Sequence, residues 1–275
     1  PPPLHTSSSG APPLPMESVA AGHGWERHKR PWQSADPRPC AVVWLHGMGG
    51  KGAVEQEWQD VFEQWPLHKP ASCCWVFPRA PSGPVAFHKG RVLPRWWDTW
   101  GDPDSTTWVD NPEDVAASAA TVHRLVDELD VKPERVVVGG FSQGAALALI
   151  ATLTFPKRLA GCVMIGGWLS HPTAENLSSL MHSANSETPV WWGHGVRDRS
   201  IPPSVQDAHV KFLDSLRPQP VQTQLSPCGH WPDRRLLGDM LLWMRTLLHP
   251  QEGEGARQEK GAESLHHADS GDPAS

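Results

Sequence analysis

The 275-residue sequence has no uninterrupted apolar run that approaches the length of a membrane span, which takes about 20 residues. Its N-terminal segment, PPPLHTSSSGAPPLPM, also lacks the basic stretch followed by an apolar stretch that is typical of a secretory signal. The sequence therefore predicts no transmembrane segment and no signal peptide. Because the chain begins with proline, it leaves open whether a targeting segment has been removed.

Cysteine is scarce, with five residues, an odd number. No C-x-x-C or H-x3-H spacing is present, so the pattern indicates neither a disulfide framework nor a zinc site. Cys73, Cys74 and Cys162 lie in apolar runs, where a thiol is usually a small core residue. We therefore expect a reducing compartment and a cytoplasmic protein.

An excess of positive charge is also missing. The chain has 24 Lys and Arg against 30 Asp and Glu, with an isoelectric point near 6.2. Nucleic acids and anionic membranes attract proteins with clustered basic residues, and this sequence has no such cluster. The composition argues against a nucleic-acid partner and favours a small or neutral one; the oligomeric state is left open.

Three segments differ in composition along the chain. Residues 1–38 are rich in Pro and Ser, and residues 251–275 are polar with few large aliphatic side chains. Such segments cannot bury enough apolar surface to fold alone, so we predict both to be disordered. Residues 39–250 are predicted to form one domain.

Within residues 39–250, short apolar runs alternate with helical patterns. The strand-like runs are CAVVWLHG, CCWVFP, RVVVGG, GCVMIGG, PVWWGHG and VQTQLSP. Helices are predicted after Ser142, from the capping residue Asn111 to Leu129, from Pro203 (with Val205, Ala208, Phe212 and Leu216 on one face), and over Arg234 to Leu248. This alternation predicts an α/β fold whose mostly parallel sheet has helices on both faces, with a functional site at the carboxyl ends of the strands.

The segment GFSQG, residues 140–144, matches the pattern G-x-S-x-G between a predicted strand and a predicted helix. In that context the serine lies on a sharp turn, where glycines let neighbouring backbones approach, and the helix N-terminus favours an oxyanion. Ser142 is therefore a candidate nucleophile. The alternative is a turn serine that only caps the helix.

A nucleophilic serine needs a base and an acid, and candidates follow two later strands. Asp198 lies in GHGVRDRSIPPS and His230 in SPCGHWPDRR. The chain order Ser142, Asp198, His230 is the order expected in an α/β-hydrolase. We predict that these three residues form a catalytic triad.

The oxyanion hole needs two backbone donors, one after the nucleophile and one from an earlier loop. Gln143 supplies the first, and Met48 in LHGMGGKG is our candidate for the second. The alternative for this loop is an ordinary glycine-rich connection; a phosphate-binding loop is excluded because G-x4-G-K-[ST] is absent.

Two other histidines and three other carboxylates are less suitable as triad members. His46 and His194 each precede a glycine at a strand end, where a histidine more often organises a loop through hydrogen bonds. Asp207 and Asp214 fall on a predicted surface helix, and Asp233 is better explained as a helix-start residue.

Taken together, these motifs resemble the acyl-protein thioesterase and small carboxylesterase family of α/β-hydrolases, which includes lysophospholipases. The similar stretches are WLHGMGG, FPRAPSGPVAFHKGRVLPRWWD, GGFSQGAALAL, HGVRDRSIP and CGHW, and they cover about residues 39–250. The resemblance implies hydrolysis of thioesters or oxyesters of acylated proteins, lipids or small alcohols, without a metal or other cofactor. It assigns the triad and oxyanion roles as above and places Trp97 and Trp168 at the border of the acyl site.

The sequence departs from the family pattern at three positions. Val196 replaces an aspartate directly after His-Gly in the acid loop, and Leu225 and Pro227 replace a tyrosine and a glycine before the catalytic histidine. Two alternatives to the thioesterase remain: a carboxylesterase of broad specificity for small esters, and a catalytically silent binding protein with the same fold.

Overall fold

In a computed structural model of the chain, the residues that can be described are 39–49, 54–64, 73–100, 108–169 and 171–249. Both predicted disordered segments, 1–38 and 251–275, lie outside the described residues, so the proposed domain boundaries stay predictions. Among the described residues, no helix is both long and apolar enough to pass through a bilayer.

A six-stranded parallel sheet forms the centre of the fold. Its strands lie side by side in the order β10-β9-β8-β7-β1-β2, and two short antiparallel hairpins, β3-β4 and β5-β6, lie apart from it. The bounds are β1 Cys40–Leu45, β2 Cys73–Val76, β3 Ser82–Val85, β4 Arg91–Pro94, β5 Thr99–Trp100, β6 Val109–Asp110, β7 Val136–Phe141, β8 Gly161–Ile165, β9 Val190–Gly195 and β10 Gln222–Ser226.

The part of the chain that the structure describes contains six α-helices; five of them lie between strands, and α6 follows the last strand. Their bounds are α1 Val54–Glu63, α2 Pro112–Asp127, α3 Gln143–Thr154, α4 His171–Leu180, α5 Pro203–Leu216 and α6 Arg234–Leu248. Short 3-10 turns cover Ala86–His88, Pro133–Arg135 and Ser183–Asn185. The strand runs and four helices predicted from the sequence are all present. The helices α1 and α4 and the two hairpins had not been predicted.

Alternate side chains of β1 divide the core into two layers, as the two-residue period of a strand requires. Ala41, Val43 and Leu45 pack with α2, α3, α4 and α5 on one face of the sheet. Val42 and Trp44 pack with α1 and α6 on the other. This arrangement confirms the predicted α/β fold with helices on both faces of a parallel sheet.

The start of α2 follows its predicted capping signal. Asn111 accepts a hydrogen bond from the N–H of Glu113, and Pro112 takes the first helical position. Likewise, Asp233 caps α6 by accepting from the N–H of Leu236. These side chains satisfy amides that a helix start leaves without an intrahelical partner.

The predicted face of α5 is correct at Val205, which is buried, and at Phe212 and Leu216, which pack partly buried against the core, but it is wrong at Ala208 and it omits Gln206. The buried residues of the helix are Val205, Gln206 and Leu213, whereas Ala208 is exposed. The polar Gln206 is buried because its side-chain amide donates to the main-chain carbonyl of Trp192 at 2.8 Å. A pattern search for apolar residues cannot recognise a polar side chain that is satisfied in this way.

A disulfide joins Cys40 to Cys73, which corrects the prediction that Cys73 is a plain core thiol and that no disulfide is present. The two residues lie 33 positions apart in sequence and are direct neighbours in the β1-β2 register. Sequence spacing carries no information about this register, so cysteine spacing alone could not reveal the pair.

Asp110 is a buried carboxylate on β6, where it accepts a hydrogen bond from the hydroxyl of Thr173 at 3.0 Å. Burial raises its pKa to about 6, although the Thr173 hydrogen bond opposes the rise. An acid whose folded pKa lies above its unfolded value holds more protons when folded, so it lowers stability as pH rises from about 4 to about 6.

We therefore expect Asp110→Asn to match the wild type in melting temperature near pH 4 and to exceed it by a few degrees at neutral pH. Calorimetry across this pH range measures the difference. Asp207→Asn, at an exposed position of α5, is the control and should give a pH-independent, small change. A constant difference between Asp110→Asn and the wild type at all pH values would contradict the expectation.

Candidate active site

Ser142 lies on a sharp turn between a buried strand and a buried helix. β7 ends at Phe141, α3 begins at Gln143, and Ser142 itself has φ 55° and ψ −120°. A non-glycine residue with positive φ costs about 1–3 kcal/mol and persists where the surrounding structure holds it. Here its N–H donates to the carbonyl of Ile165 at 2.8 Å, which ties the turn to β8.

The two glycines of GFSQG are required by close backbone contacts. A Cβ on Gly140 would lie 2.4 Å from the carbonyl group of Gly144, and a Cβ on Gly144 would lie 2.1 Å from the carbonyl oxygen of Leu45. The start of α3 therefore packs directly on the end of β1. This packing brings the Ser142 turn beside the loop that follows β1.

The side chain of Ser142 does not cap α3, although the residue occupies the capping position. Its main-chain carbonyl accepts from the N–H groups of Ala145 and Ala146, at 3.0 and 3.2 Å, while the side chain makes no capping hydrogen bond. The alternative explanation of Ser142 as a helix cap is therefore wrong. The hydroxyl is directed to another partner.

That partner is His230. Its Nε2 lies 3.0 Å from Ser142 Oγ, and its Nδ1 lies 2.7 Å from Asp198 Oδ2. The side chains come from the loops after β7, β9 and β10. In the sequence, His230 lies 88 positions from Ser142 and 32 positions from Asp198. The three residues predicted from sequence are thus brought into one continuous line of hydrogen bonds.

Asp198 is buried and held by several donors. The N–H groups of Ser200 and Ile201 donate to Oδ1 at 2.8 and 2.9 Å, and His194 Nε2 lies 3.3 Å from Oδ2. Burial raises the pKa of Asp198, but the hydrogen bonds from His194, His230 and Ile201 and the charge of His230 outweigh it and hold the pKa well below its usual range. Asp198 is therefore a carboxylate that can orient His230.

His194 takes the loop-organising role expected for it. Its Nε2 lies 2.8 Å from the carbonyl oxygen of Ile201, which can only accept, so Nε2 carries the proton. The contact links His194, at the end of β9, to Ile201, whose N–H donates to Asp198 from the far side of the loop. The loop that carries the carboxylate is closed by this imidazole.

The loops that carry Asp198 and His230 are joined along their backbones. The N–H of Val196 donates to Ser226 and the N–H of Arg197 donates to Cys228, both at 2.9 Å. Val196 and Leu225, two departures from the family pattern, both have side chains that are about half exposed. The pairing uses main-chain groups, so these two departures from the family pattern leave it in place.

An aromatic cluster supports the imidazole of His230. The ring of Phe141 lies 4.8 Å from that of His230, and Trp231 stacks on Trp58 of α1 at 4.9 Å. Gly166, with φ 57°, leaves room on another side, since a Cβ there would approach the His230 ring to 3.3 Å. The sequence did not indicate this support because α1, which supplies Trp58, had not been predicted.

The loop after β1 lies against Ser142. A Cβ on Gly47 would be 3.1 Å from the Cβ of Ser142, so the backbone that leads to Met48 passes beside the serine. The N–H of Gly49 donates to the carbonyl of Pro94 at 2.9 Å, which anchors the far side of the loop. Met48, the predicted second oxyanion donor, therefore lies in a loop next to Ser142.

His46 controls the orientation of this loop. The N–H of Ala80 donates to His46 Nε2 at 2.9 Å, so the imidazole proton is on Nδ1, which donates to the carbonyl of Gly47 at 2.7 Å. In a trans peptide the carbonyl and the next N–H point in opposite directions. Holding the carbonyl of Gly47 therefore holds the N–H of Met48.

The side chain of Gln143 has a role that the sequence did not indicate. Its Oε1 accepts from the N–H of Trp96 at 2.9 Å, and its Nε2 donates to the carbonyl of Trp97 at 2.9 Å and to the hydroxyl of Thr99 at 3.3 Å. The residue predicted to donate its main-chain amide to the oxyanion thus also anchors the segment before β5. Only the fold reveals this contact.

Gln143→Met should destabilise the protein, because it leaves the buried amide of Trp96 and carbonyl of Trp97 without a partner, at about 1–3 kcal/mol for each group. Denaturant unfolding measures the loss. Thr99→Val is the matched control, since it removes only the 3.3 Å contact of the three, and it should cost less. Equal losses in the two variants would contradict the anchoring role.

The two predicted acyl-site tryptophans occupy different surroundings. Trp97 is 1% exposed and packs within the large core layer on the α3 side of the sheet. Trp168 follows β8 and packs with Trp108, Ile201 and Val205 in a separate small cluster. Since Ile201 also donates to Asp198, this small cluster lies next to the acid loop.

A parallel sheet of this order, with a strained serine turn after one strand and the loops of Asp198 and His230 after two later strands, defines an α/β-hydrolase. Solved structures agree. Arabidopsis thaliana SOBER1 matches with a TM-score of 0.68 and 28% identity over 76% of this chain and 99% of that one. Zea mays acyl-protein thioesterase 2 matches with a TM-score of 0.67 and 25% identity over 78% of this chain and 96% of that one.

Within that class, the model of the phospholipase/carboxylesterase family matches residues 30–248, and the chain belongs to this family. A protein of Oryza sativa subsp. japonica named "Probable inactive carboxylesterase" is 32% identical over 82% of this chain and 91% of the relative. Acyl-protein thioesterase 1 of Gibberella zeae is 33% identical over 79% of this chain and 94% of the relative. Family membership confirms the sequence-based resemblance and groups the chain with carboxylic-ester hydrolases.

Proposed function

We propose that the protein is a serine hydrolase that cleaves thioester or oxyester bonds of acylated substrates through an acyl-enzyme on Ser142. The observation that carries the proposal is the hydrogen-bonded line from Asp198 through His230 to the Ser142 hydroxyl. A serine held in strained backbone and bonded to an oriented imidazole is the arrangement that activates this weak nucleophile.

In the proposed reaction, Ser142 Oγ attacks the carbonyl carbon while His230 Nε2 accepts the hydroxyl proton. The N–H groups of Met48 and Gln143 donate to the oxyanion, and Asp198 stabilises the imidazolium. His230 then protonates the leaving thiol or alcohol. Water deprotonated by His230 attacks the acyl-enzyme in the second step, which releases the acid and restores Ser142.

The acyl chain is proposed to lie near the small cluster that contains Trp168. Trp168 and its neighbour Trp108 are both under one tenth exposed, with ring centres 5.6 Å apart, in loops that border the sheet. Trp97 is proposed as a second border of this site. Its main-chain carbonyl, rather than its ring, makes the contact with Gln143.

The substrate class is tested with acyl chains of increasing length, each presented as a matched thioester and oxyester. We expect the specificity constant to rise with chain length, with turnover of palmitoyl-thioester peptides, as an acyl-protein thioesterase requires. Turnover of lysophospholipids extends the same test to lipid substrates. A preference for acetate and butyrate esters would instead favour a carboxylesterase of broad specificity.

The alternative is a catalytically silent protein, and the relative from Oryza sativa is named a probable inactive carboxylesterase. A fluorophosphonate reacts with an activated serine and not with an ordinary hydroxyl. We expect stoichiometric labelling of Ser142 in the folded protein. Absence of labelling would support a silent hydrolase fold and would refute the enzyme proposal independently of the substrate chosen.

The location we propose is the cytoplasm. Cys74, Cys162 and Cys228 are not part of a disulfide, which suits a reducing compartment, whereas the Cys40–Cys73 bond shows that the chain can also form one. Fluorescence microscopy of the tagged full-length protein tests the location. A signal confined to a secretory organelle would contradict it.

A further inference from the structure

Three potential metal ligands meet at the opposite edge of the sheet from Ser142. Cys40 is the first residue of β1, Cys73 is the first residue of β2, and His249 follows the last residue of α6. The cysteines are bonded to each other, and His249 Nε2 lies 3.5 Å from Cys40 Sγ. All three donor atoms lie within 4.8 Å of one another.

The geometry of the cluster suits a tetrahedral thiophilic ion. With zinc–sulfur bonds near 2.3 Å and zinc–nitrogen bonds near 2.1 Å, neighbouring sulfur and nitrogen ligands lie roughly 3.6 Å apart. The separation of Cys40 Sγ and His249 Nε2 has this size. After reduction, the two sulfurs need only move apart to roughly 3.8 Å to complete the set.

The ligands are held in place before any ion binds. Cys40 and Cys73 are paired in the β1-β2 register. The guanidinium of Arg135 donates to the carbonyls of Pro39 and Leu248, which are the neighbours of Cys40 and His249. One side chain thus fixes the start of β1 relative to the end of α6.

Because the three ligands are buried or half-buried, this site favours an ion whose charge neutralises that of its ligands. Cys40 is 0% and His249 5% exposed, while Cys73 is half-buried and faces the same core layer. Two thiolates balance the charge of one Zn²⁺, so the complex carries no net charge into the interior. A hard oxygen-seeking ion such as Mg²⁺ would find unsuitable donors here.

We propose that Cys40, Cys73 and His249 form a redox-gated binding site for Zn²⁺, closed when the cysteines form their disulfide and open when they are reduced. A dithiol reductant breaks the sulfur–sulfur bond by supplying two electrons and two protons, and itself becomes a disulfide. Zn²⁺ then displaces both thiol protons, and the lone pair of His249 Nε2 and a water complete four-coordination. A small-molecule disulfide reverses the change: it accepts two electrons from the two thiolates and two protons from water, becomes a pair of thiols, and leaves the Cys40–Cys73 bond re-formed and the Zn²⁺ released.

The site would act on the stability of the domain and not on ester hydrolysis. It connects β1, β2 and the end of α6, whereas the triad lies at the carboxyl ends of the strands. An ion that binds only the folded chain raises its stability by mass action. Zinc should therefore raise the melting temperature of the reduced protein and leave that of the oxidised protein unchanged.

The binding test uses the full chain, reduced with a dithiol that is then removed under nitrogen, and Zn²⁺ in competition with a chromophoric chelator. We expect about one zinc per chain in the reduced protein and none in the oxidised protein. Cys40→Ser and Cys73→Ser should abolish binding. Cys74→Ser is the matched control and should retain it, because Cys74 is the next residue of the same strand but packs against the opposite layer.

A second readout, with Co²⁺, uses the wild-type chain and therefore does not depend on how well a variant folds. Co²⁺ added to the reduced wild type should give the sulfur-to-cobalt charge-transfer absorption of thiolate ligands, and reoxidation should remove it. His249→Gln should weaken zinc binding at least tenfold while both cysteines remain. Zinc binding that survives oxidation or Cys40→Ser would overturn the proposal, as would a disulfide that the dithiol cannot open.

Discussion

Ser142→Ala should lose ester hydrolysis by about 10⁴- to 10⁶-fold in kcat while the protein remains folded. The substitution removes the Oγ atom that lies 3.0 Å from His230 Nε2 and that is proposed to form the acyl-enzyme. Turnover of p-nitrophenyl esters measures the loss. The residual rate reports what the oxyanion donors and substrate binding supply without the nucleophile.

The same variant separates loss of activity from loss of folding, because the Ser142 side chain makes no capping hydrogen bond to α3. The main-chain bond to Ile165 is retained by alanine, so the melting temperature should change little. Ser215→Ala, which removes an exposed hydroxyl that donates to the carbonyl of Phe212 within α5, is the control and should keep activity. Substantial turnover by folded Ser142→Ala would refute the nucleophile assignment.

The loops that carry Ser142, Asp198 and His230 could be predicted from sequence for a definite physical reason. Each follows a short apolar strand, and parallel strands place their carboxyl ends at one edge of the sheet. The order of the strands then brings together residues that lie far apart in the chain. The distances among these three residues could not be predicted, because they depend on backbone pairing between Val196 and Ser226 and on packing around Gly166.

Features that depend on strand register or on satisfied polar groups could not be predicted. The Cys40–Cys73 bond follows from the pairing of β1 with β2, which leaves no trace in residue spacing. The buried Gln143 and Gln206 are explained only by the main-chain groups that they meet in the fold. In both cases the missing information is a long-range contact, which local patterns do not encode.

Gly144→Ala should destabilise the domain by more than about 4 kcal/mol, a size reserved for severe clashes in a rigid core. The added Cβ would lie 2.1 Å from the carbonyl oxygen of Leu45 and 2.4 Å from that of His46. Both are main-chain atoms, and Leu45 is the last residue of β1, which is held in the sheet. Neither atom can therefore move aside as a flexible side chain would. We expect the variant to be insoluble or to melt far below the wild type by circular dichroism.

Gly229→Ala is the matched control for that variant, since the nearest atom to its added Cβ is the carbonyl oxygen of Arg197 at 3.9 Å, an ordinary contact. It also lies in a loop of the active site, beside His230, and should fold with a melting temperature close to the wild type. If Gly144→Ala melted like Gly229→Ala, α3 could not pack on β1 as closely as the structure has it. Because that packing sets the position of Ser142 relative to the loop of Met48, the proposed oxyanion hole would then lose its structural basis.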